Sequence, residues 1–360
     1  MRVVVSFAVL FLLFLFEASG AFAQSASGLG LTLETATTPI VLTAEQIKDI
    51  ERRALTGEPE AQFLLGELYH HGGPFYEKDE IDAAKWFRKA ADQNFAKAEI
   101  ALGNAYTFGV GVEQDYQEAA RWYNRAAQQG DPIGANDLGM LYQRGLGVSH
   151  SDFRAAEWFG QAARKGLAVA QHMLGIMYRE GHGVRRDLSQ SAKLQLTASQ
   201  QGFAPAQNEM GVMYLRGEGV SRDPAQALRW FAEAAEKDDL DAQTNLGYLY
   251  KTGQGVDKDF AQALRWLRPA AEQGNPAAQA NLGDMYVNGQ GVQLDYIEGY
   301  KWLGLAAMQN MRAAADAQKS IRSIMTKRQL SAAKIRIALW GLQHSKSFES
   351  SPTDAEMDKE

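Results

Sequence analysis

Leu138-Gly139-Met140-Leu141-Tyr142-Gln143-Arg144-Gly145-Leu146-Gly147-Val148 decides the fold, because its Gly-x-x-Tyr step recurs along the whole chain. The glycine of that step stands at Gly66, Gly103, Gly139, Gly175, Gly211, Gly247 and Gly283, at one interval of 37 residues and then five of 36, each time followed by a tyrosine three residues on. A fixed period of about 20–50 residues marks a solenoid, whose units cannot bury an apolar face alone and stack to do so. The chain has 360 residues, more than one hydrophobic core usually organises, and a repeat stack answers that constraint.

Working outward from the step, each unit reads as two antiparallel helices. Helix A starts after punctuation such as Gly130-Asp131-Pro132 or Gly274-Asn275-Pro276, where glycine suits the end of one helix, Asp or Asn caps the next and proline fits its first turn. It runs into a Gly-x-Gly-Val turn, as at Gly145 to Val148 and Gly217 to Val220, whose glycines tolerate positive φ. Helix B opens on a capping box such as Asp115 with Glu118 or Asp295 with Glu298. On helix A, Ala61, Leu65, Leu68 and Tyr69 and their counterparts share one face, with glycine at its centre admitting a close neighbour. Helix B offers tryptophan at Trp86, Trp122, Trp158, Trp230, Trp266 and Trp302, followed a turn later by an alanine pair, and these tryptophans are expected to be the buried anchors. Trp158→Ala is expected to cost about 3–5 kcal/mol.

The resulting expectation is an all-α chain of about seven 36-residue helix pairs over 58–310, with capping helices at 43–57 and 311–344. Thr43 with Gln46 and Thr326 with Gln329 supply the capping boxes for the ends. Arg2, the apolar run Val3 to Phe16 and Ala21-Phe22-Ala23 before Gln24 have the form of a signal peptide at 1–23, against the alternative of an uncleaved anchor. Segments 24–42 and 345–360 lack periodicity and read as a flexible linker and a disordered acidic tail. The localisation that follows is periplasmic or secreted, after cleavage near Ala23.

The pattern Ala-x3-Leu-Gly-x2-Tyr, Gly-x-Gly-Val, Asp-x3-Ala, then Trp and Ala-Ala-x2-Gly resembles the Sel-one-like repeat, a relative of the tetratricopeptide repeat. The resemblance implies a right-handed α/α superhelix that assembles protein complexes, including envelope-located bacterial proteins. Two units depart from it: the first replaces the turn with His71-Gly72-Gly73-Pro74-Phe75-Tyr76, and the fourth has Leu194-Gln195 in place of an aromatic pair. Uniform curvature is in doubt at the second. The Phe75-Tyr76 insert is either a contact loop or folds back over the first unit.

Composition narrows the function. A net charge of -6 gives no footprint for a phosphate backbone, so nucleic acid is not an expected partner. The chain has no cysteine, and its six histidines show no metal-ligand spacing, so neither metal nor cofactor is expected. Ser331-Ala332-Ala333-Lys334 and Lys251-Thr252-Gly253 match fragments of penicillin-recognising enzymes, but in reversed order and without the motif between them. The resemblance also has a cysteine-rich branch linked to β-lactam binding, which this cysteine-free chain does not match. A β-lactamase-like hydrolase is therefore a distant third reading, and no catalytic residues are assigned.

Candidate binding residues emerge by subtraction. Positions three before, one after and four after the recurring glycine lie opposite its face at 100° per residue. They vary between units: Asn136, Met140 and Gln143; His172, Ile176 and Arg179; Asn208, Val212 and Leu215; Thr244, Tyr248 and Lys251. In the last unit they are Ala280, Asp284 and Val287. This stripe is expected to line a concave surface holding a protein partner, against the simpler reading of a tolerant solvated face. The alternative ligand is a cell-envelope glycan or peptidoglycan, with Tyr248 stacking and Asn208 hydrogen bonding. Lys319, Arg322, Lys327, Arg328, Lys334 and Arg336 stand against Asp316 near the C-terminus, where an acidic partner or anionic lipid competes with an ordinary charged exterior. Peripheral membrane contact is not the expected reading.

Overall fold

The computed structural model describes residues 42–73 and 75–348. The expected signal peptide at 1–23, nearly all of the linker and the tail beyond 348 lie outside the described residues.

Among the described residues the chain is all-α. A leading helix, α1 (Ala44–Leu55), precedes seven A/B pairs. These are α2 (Pro59–His71) with α3 (Glu80–Ala91), α4 (Ala96–Phe108) with α5 (Tyr116–Gln128), and α6 (Pro132–Arg144) with α7 (Asp152–Arg164). There follow α8 (Ala168–Glu180) with α9 (Leu188–Gln200), α10 (Ala204–Arg216) with α11 (Pro224–Ala235), α12 (Leu240–Thr252) with α13 (Phe260–Glu272), and α14 (Pro276–Asn288) with α15 (Tyr296–Met308). α16 (Arg312–Arg322) and α17 (Lys327–Phe348) close the chain, and α15 packs on both. The chain divides into two compact units, one containing α1 to α9 and the other α10 to α17. Within each, every helix packs against the next in sequence through α16.

Local chemistry sets the helix boundaries. Asp131, with Pro132 behind it, caps α6 by accepting from Ile133 and Gly134 backbone N–H at 2.8 and 3.2 Å. Gly145 ends the same helix in the left-handed region at φ 69. The B helices are capped by Asp79, Asp115, Ser151, Asp187, Asp223, Asp259 and Asp295 through their side-chain oxygens. The expected reciprocal bond takes another route in two of them. The Asp115 and Asp295 backbone N–H groups already donate to the Tyr106 and Tyr286 carbonyls at 2.9 and 3.0 Å, so Glu118 turns to Arg121 and Glu298 pairs with Lys301 at 2.9 Å and Arg336 at 2.5 Å. Both halves of the box form at Thr43 with Gln46 and at Thr326 with Gln329, where the side chains meet the opposing backbone N–H groups at 2.8–3.3 Å.

The core rests on glycine against a large side chain. A Cβ at Gly139 would lie 2.9 Å from Phe159 Cε1, so helices A and B of the third pair touch there only because no Cβ exists. Phe87, Tyr123, Phe231, Leu267 and Leu303 occupy the same place in their pairs and are buried. This corrects the expectation for the tryptophans one residue earlier: Trp122 and Trp302 are buried, but Trp86, Trp158, Trp230 and Trp266 are half-buried. One step along a helix turns a side chain by about 100°, so the ring following the tryptophan meets the glycine while the indole covers the outer edge. Lysine or arginine caps that edge, as Lys89 does 3.5 Å above the Trp86 ring and Lys301 3.9 Å above Trp302.

The second glycine of the turn seals adjacent pairs. A Cβ at Gly147 (φ 65) would lie 2.2 Å from the backbone C and O of Tyr116, at the start of the preceding B helix. In the first pair the turn is longer, and Tyr76 folds back edge-on to Tyr69 at 4.8 Å and hydrogen-bonds Glu51, leaving Phe75 exposed. At the other end, α17 runs to Phe348, four residues into the segment read as tail, and Trp340 stacks on His344 at 3.9 Å along it.

Candidate interaction surface

The variable stripe of the A helices is more enclosed than a solvent-lined hollow would be. In the first unit Asn136 and Met140 are buried, whereas Gln143, His172, Ile176 and Arg179 are half-buried. In the second, Val212, Leu215 and Thr244 are buried and Asn208, Tyr248 and Lys251 half-buried. Neighbouring A helices close over some of these side chains, and others bond across the gap to the next A helix. Asn245 donates to Asn208 at 2.9 Å, and Lys251 bridges from α12 to α14 by donating to Asn281 at 3.1 Å and pairing with Asp284 at 2.6 Å. Thr244 returns its hydroxyl to the Leu240 carbonyl at 2.7 Å. Within the first unit Arg179 pairs with Glu180 at 3.0 Å, and Asn136 donates to Asp137 at 2.9 Å. Burial pushes the Tyr248 phenol above its ordinary pKa, with the Gln254 side chain working in the opposite direction. The stripe offers accessible surface at seven half-buried side chains, four in the first unit and three in the second, and its buried members belong to the packing.

A second concavity lies on the first unit, where α7 meets the turn after α8. It is a groove of about 930 Å³ lined by Phe153, Tyr178, Val184, Arg185, Arg186 and Leu188, among others, and a smaller one beside it, of about 380 Å³, shares Phe153 and reaches Arg164. Its origin is a shift of one residue. The first position of helix B holds Tyr116, Phe260 and Tyr296 in other pairs, each half-buried, but here it holds Asp152, so the ring falls at Phe153 and turns outward to 60% exposure. Ile81 follows Glu80 in the first pair by the same shift and is 59% exposed.

The Sel1 repeat profile matches seven consecutive segments, 59–95, 96–131, 132–167, 168–203, 204–239, 240–275 and 276–311, each holding one A/B pair. The chain belongs to the Sel1 repeat family. A Sel1 repeat protein from Oxalobacter formigenes has a similar solved structure, at 33% identity and a TM-score of 0.62 over 77% of this chain and 80% of that one. A protective antigen of uropathogenic Escherichia coli with an SLR fold is 28% identical, with a TM-score of 0.48 over 88% of this chain and 84% of that one. No curated protein matches the chain.

The fourth Sel1 repeat accommodates its missing ring through hydrogen bonds. Gln195 stands where the others place a ring or leucine against the glycine, and a Cβ at Gly175 would lie 2.6 Å from its Nε2. It is fully buried and bonds the half-buried His172. Burial drives His172 down to about 4, assisted by the nearby Arg179 charge and opposed by the Gln195 hydrogen bond. In the second Sel1 repeat, Tyr123 serves as the plug, and its hydroxyl lies 3.0 Å from Thr107 and donates to Asn104 at 2.7 Å.

Sequence reasoning missed a glutamine four residues before the glycine in five of the seven repeats, Glu99 and Ala135 standing there in the second and third. Gln62, Gln171, Gln243 and Gln279 are buried and donate to the Ala54, Ala163, Ala235 and Ala271 carbonyls at the end of the preceding helix, at 3.1–3.3 Å. The opposite end of the amide accepts from the glutamine that follows helix B of its own repeat: Gln93 to Gln62, Gln201 to Gln171 and Gln309 to Gln279, at 2.8–3.1 Å. The recurring Ala-Gln pair was the available signal. In the second Sel1 repeat Glu99 takes this position, fully buried, with Arg125 at 3.0 Å and Gln129 at 2.6 Å. Burial raises its pKa against the lowering effect of Arg125.

The two enzyme-like fragments have different structural settings. Lys251 and Thr252 are the last residues of α12 and Gly253 its left-handed cap, whereas Ser331 and Lys334 lie exposed on α17. Among the described residues, no group of three or more His, Asp or Glu side chains is arranged to hold a metal ion.

Proposed function

We propose that this chain is an exported scaffold that holds a protein partner on the accessible part of its A-helix stripe. Sel1 repeat proteins are protein-interaction scaffolds, which supports the coarser reading. The observation that carries the finer one is the half-buried state of Ile176, Arg179, Tyr248 and Lys251, which combines an aliphatic and an aromatic anchor with cations on the face where the repeats differ. Leu215, counted with these anchors from sequence, is buried and belongs to the packing instead. Export rests on the N-terminal Arg2, apolar run and Ala21-Phe22-Ala23. Cross-linking in the native envelope followed by partner capture tests the reading. Capture is expected to fail for Ile176→Asp with Tyr248→Asp at unchanged helicity, and retained capture would overturn the site. N-terminal sequencing of the exported chain is expected to begin at Gln24.

A glycan ligand is the second reading. It is favoured by the placement of Asn208 and Asn245 in one hydrogen bond, with Tyr248 one turn along α12. Binding to peptidoglycan fragments that is lost with Tyr248→Ala would select it over a protein partner.

A further inference from the structure

We infer that the outward face of α17 is a docking surface for an anionic lipid bilayer. The helix has two apolar faces. Leu330, Ala333, Ile337 and Trp340 pack inward with Tyr300, Leu303 and other residues of the last repeat. Roughly opposite them, Ile335, Leu339 and Leu342 fall within a sector of about 60° at helical spacing, and they are 59, 52 and 72% exposed. These three large aliphatic side chains stand on the solvent side of the helix, away from the seam that Leu330, Ala333, Ile337 and Trp340 fill.

Charge selects the occupant. Lys327, Arg328 and Lys334 stand exposed beside the stripe, with no carboxylate partner among the described residues. Between residues 312 and 344 the sequence holds seven lysines and arginines against Asp316, of which Arg336 pairs with Glu298 of α15, in a chain whose net charge is -6. The basic character is therefore concentrated in this segment, ahead of the acidic residues 345–360. A second copy would repel itself at such a surface, and three aliphatic side chains fall far short of the roughly 800 Å² per partner that a stable protein interface buries. A bilayer accepts a short stripe: the aliphatic groups enter the acyl boundary while lysine and arginine stems reach phosphate oxygens. No described helix is long and apolar enough to cross the membrane, so α17 would lie in its plane. This inference is independent of which partner the A helices hold.

The full chain, mixed with vesicles of phosphatidylcholine alone or with phosphatidylglycerol added, provides the test by co-sedimentation. The N-terminal apolar run is common to every variant, so differences between variants report α17. Ile335→Ser with Leu339→Ser is expected to weaken partition onto anionic vesicles by about tenfold or more. Replacing Lys327, Arg328 and Lys334 by glutamine is expected to weaken it roughly a hundredfold, at about fivefold per cation, and raised salt should mimic the loss. These three positions are exposed, so the glutamine variant decides the matter even if the serine pair perturbs folding. Equal partition of wild type and the glutamine variant would overturn the proposal. So would a dimer in light scattering that the serine pair dissolves, which would assign the stripe to a second copy.

Discussion

His172 Nδ1 lies 2.9 Å from Gln195 Oε1, and the Gln195 amide donates to the His172 carbonyl oxygen at 3.1 Å, so one side-chain pair closes the fourth repeat where its neighbours press a ring onto glycine. The pair stays neutral in the fold. His172 titrates at about 4 there, against an ordinary value of 6.5 once the chain unfolds. The unfolded chain therefore binds the extra proton between those values, and the contribution of His172 is present above pH 6.5 and lost as pH falls toward 4.

The first unit is accordingly expected to lose urea resistance between pH 7 and pH 4.5, and His172→Gln to show a smaller loss. Glu99, raised by burial, acts in the opposite direction, so the difference between wild type and variant isolates the histidine. Parallel pH profiles would show that His172 is solvated in both states.

Phe159→Ala is expected to destabilise the first unit by about 3–5 kcal/mol, because the ring is fully buried against Gly139 and its loss leaves a cavity that two helix backbones cannot collapse. Trp158→Ala is expected to cost less, about 1–3 kcal/mol, since the indole is only half-buried. Urea titration of the two variants gives the order, and a larger loss for Trp158→Ala would restore tryptophan as the anchor.

Gln279→Leu retains volume but removes one of the two bonds at the Ala271 carbonyl and one of the two at the Gln309 amide, which keep their Gly274 partners, so a loss of about 0.5–1.5 kcal/mol is expected. A cycle with Gln309→Leu should show coupling, because the two amides share one bond. Additive losses would mean that the bond contributes nothing measurable.

Gly147→Ala is expected to be among the most damaging single-methyl changes in the chain. It adds a Cβ 2.2 Å from the Tyr116 backbone at a residue with φ 65. The clash is with main chain, which cannot rotate away as the Phe159 ring could at Gly139. Comparing thermal melts of Gly147→Ala and Gly139→Ala tests that distinction.

Most of the fold could be read before any coordinates, because period, capping residues and turn glycines all act locally and agreed with one another. The repeat limits of 58–310 lie within one residue of the matched segments, and both terminal capping boxes formed as read. What sequence left hidden depends on neighbours. Whether Trp158 or Phe159 meets Gly139 turns on one step of helix rotation, and periodicity over a short helix does not resolve 100° between adjacent apolar residues. Within the stripe, Asn136, Met140, Val212, Leu215 and Thr244 proved buried because the distance between successive A helices is not written in either helix alone. Phe153 was visible as an apolar residue one place out of step, a signal that becomes readable once helix starts are aligned on their caps.

The buried glutamines also count residues. Gln62, Gln171 and Gln279 accept from a glutamine 30 positions ahead, 31 in the longer first repeat, while gripping a carbonyl 8 positions behind. Where a repeat keeps this amide pair, excising or duplicating a segment of 36 residues returns the amide to an equivalent partner, whereas a change of another length strands it. Such joints let the chain lengthen or shorten by whole modules without redesign, and the same chemistry penalises slippage wherever the pair occurs.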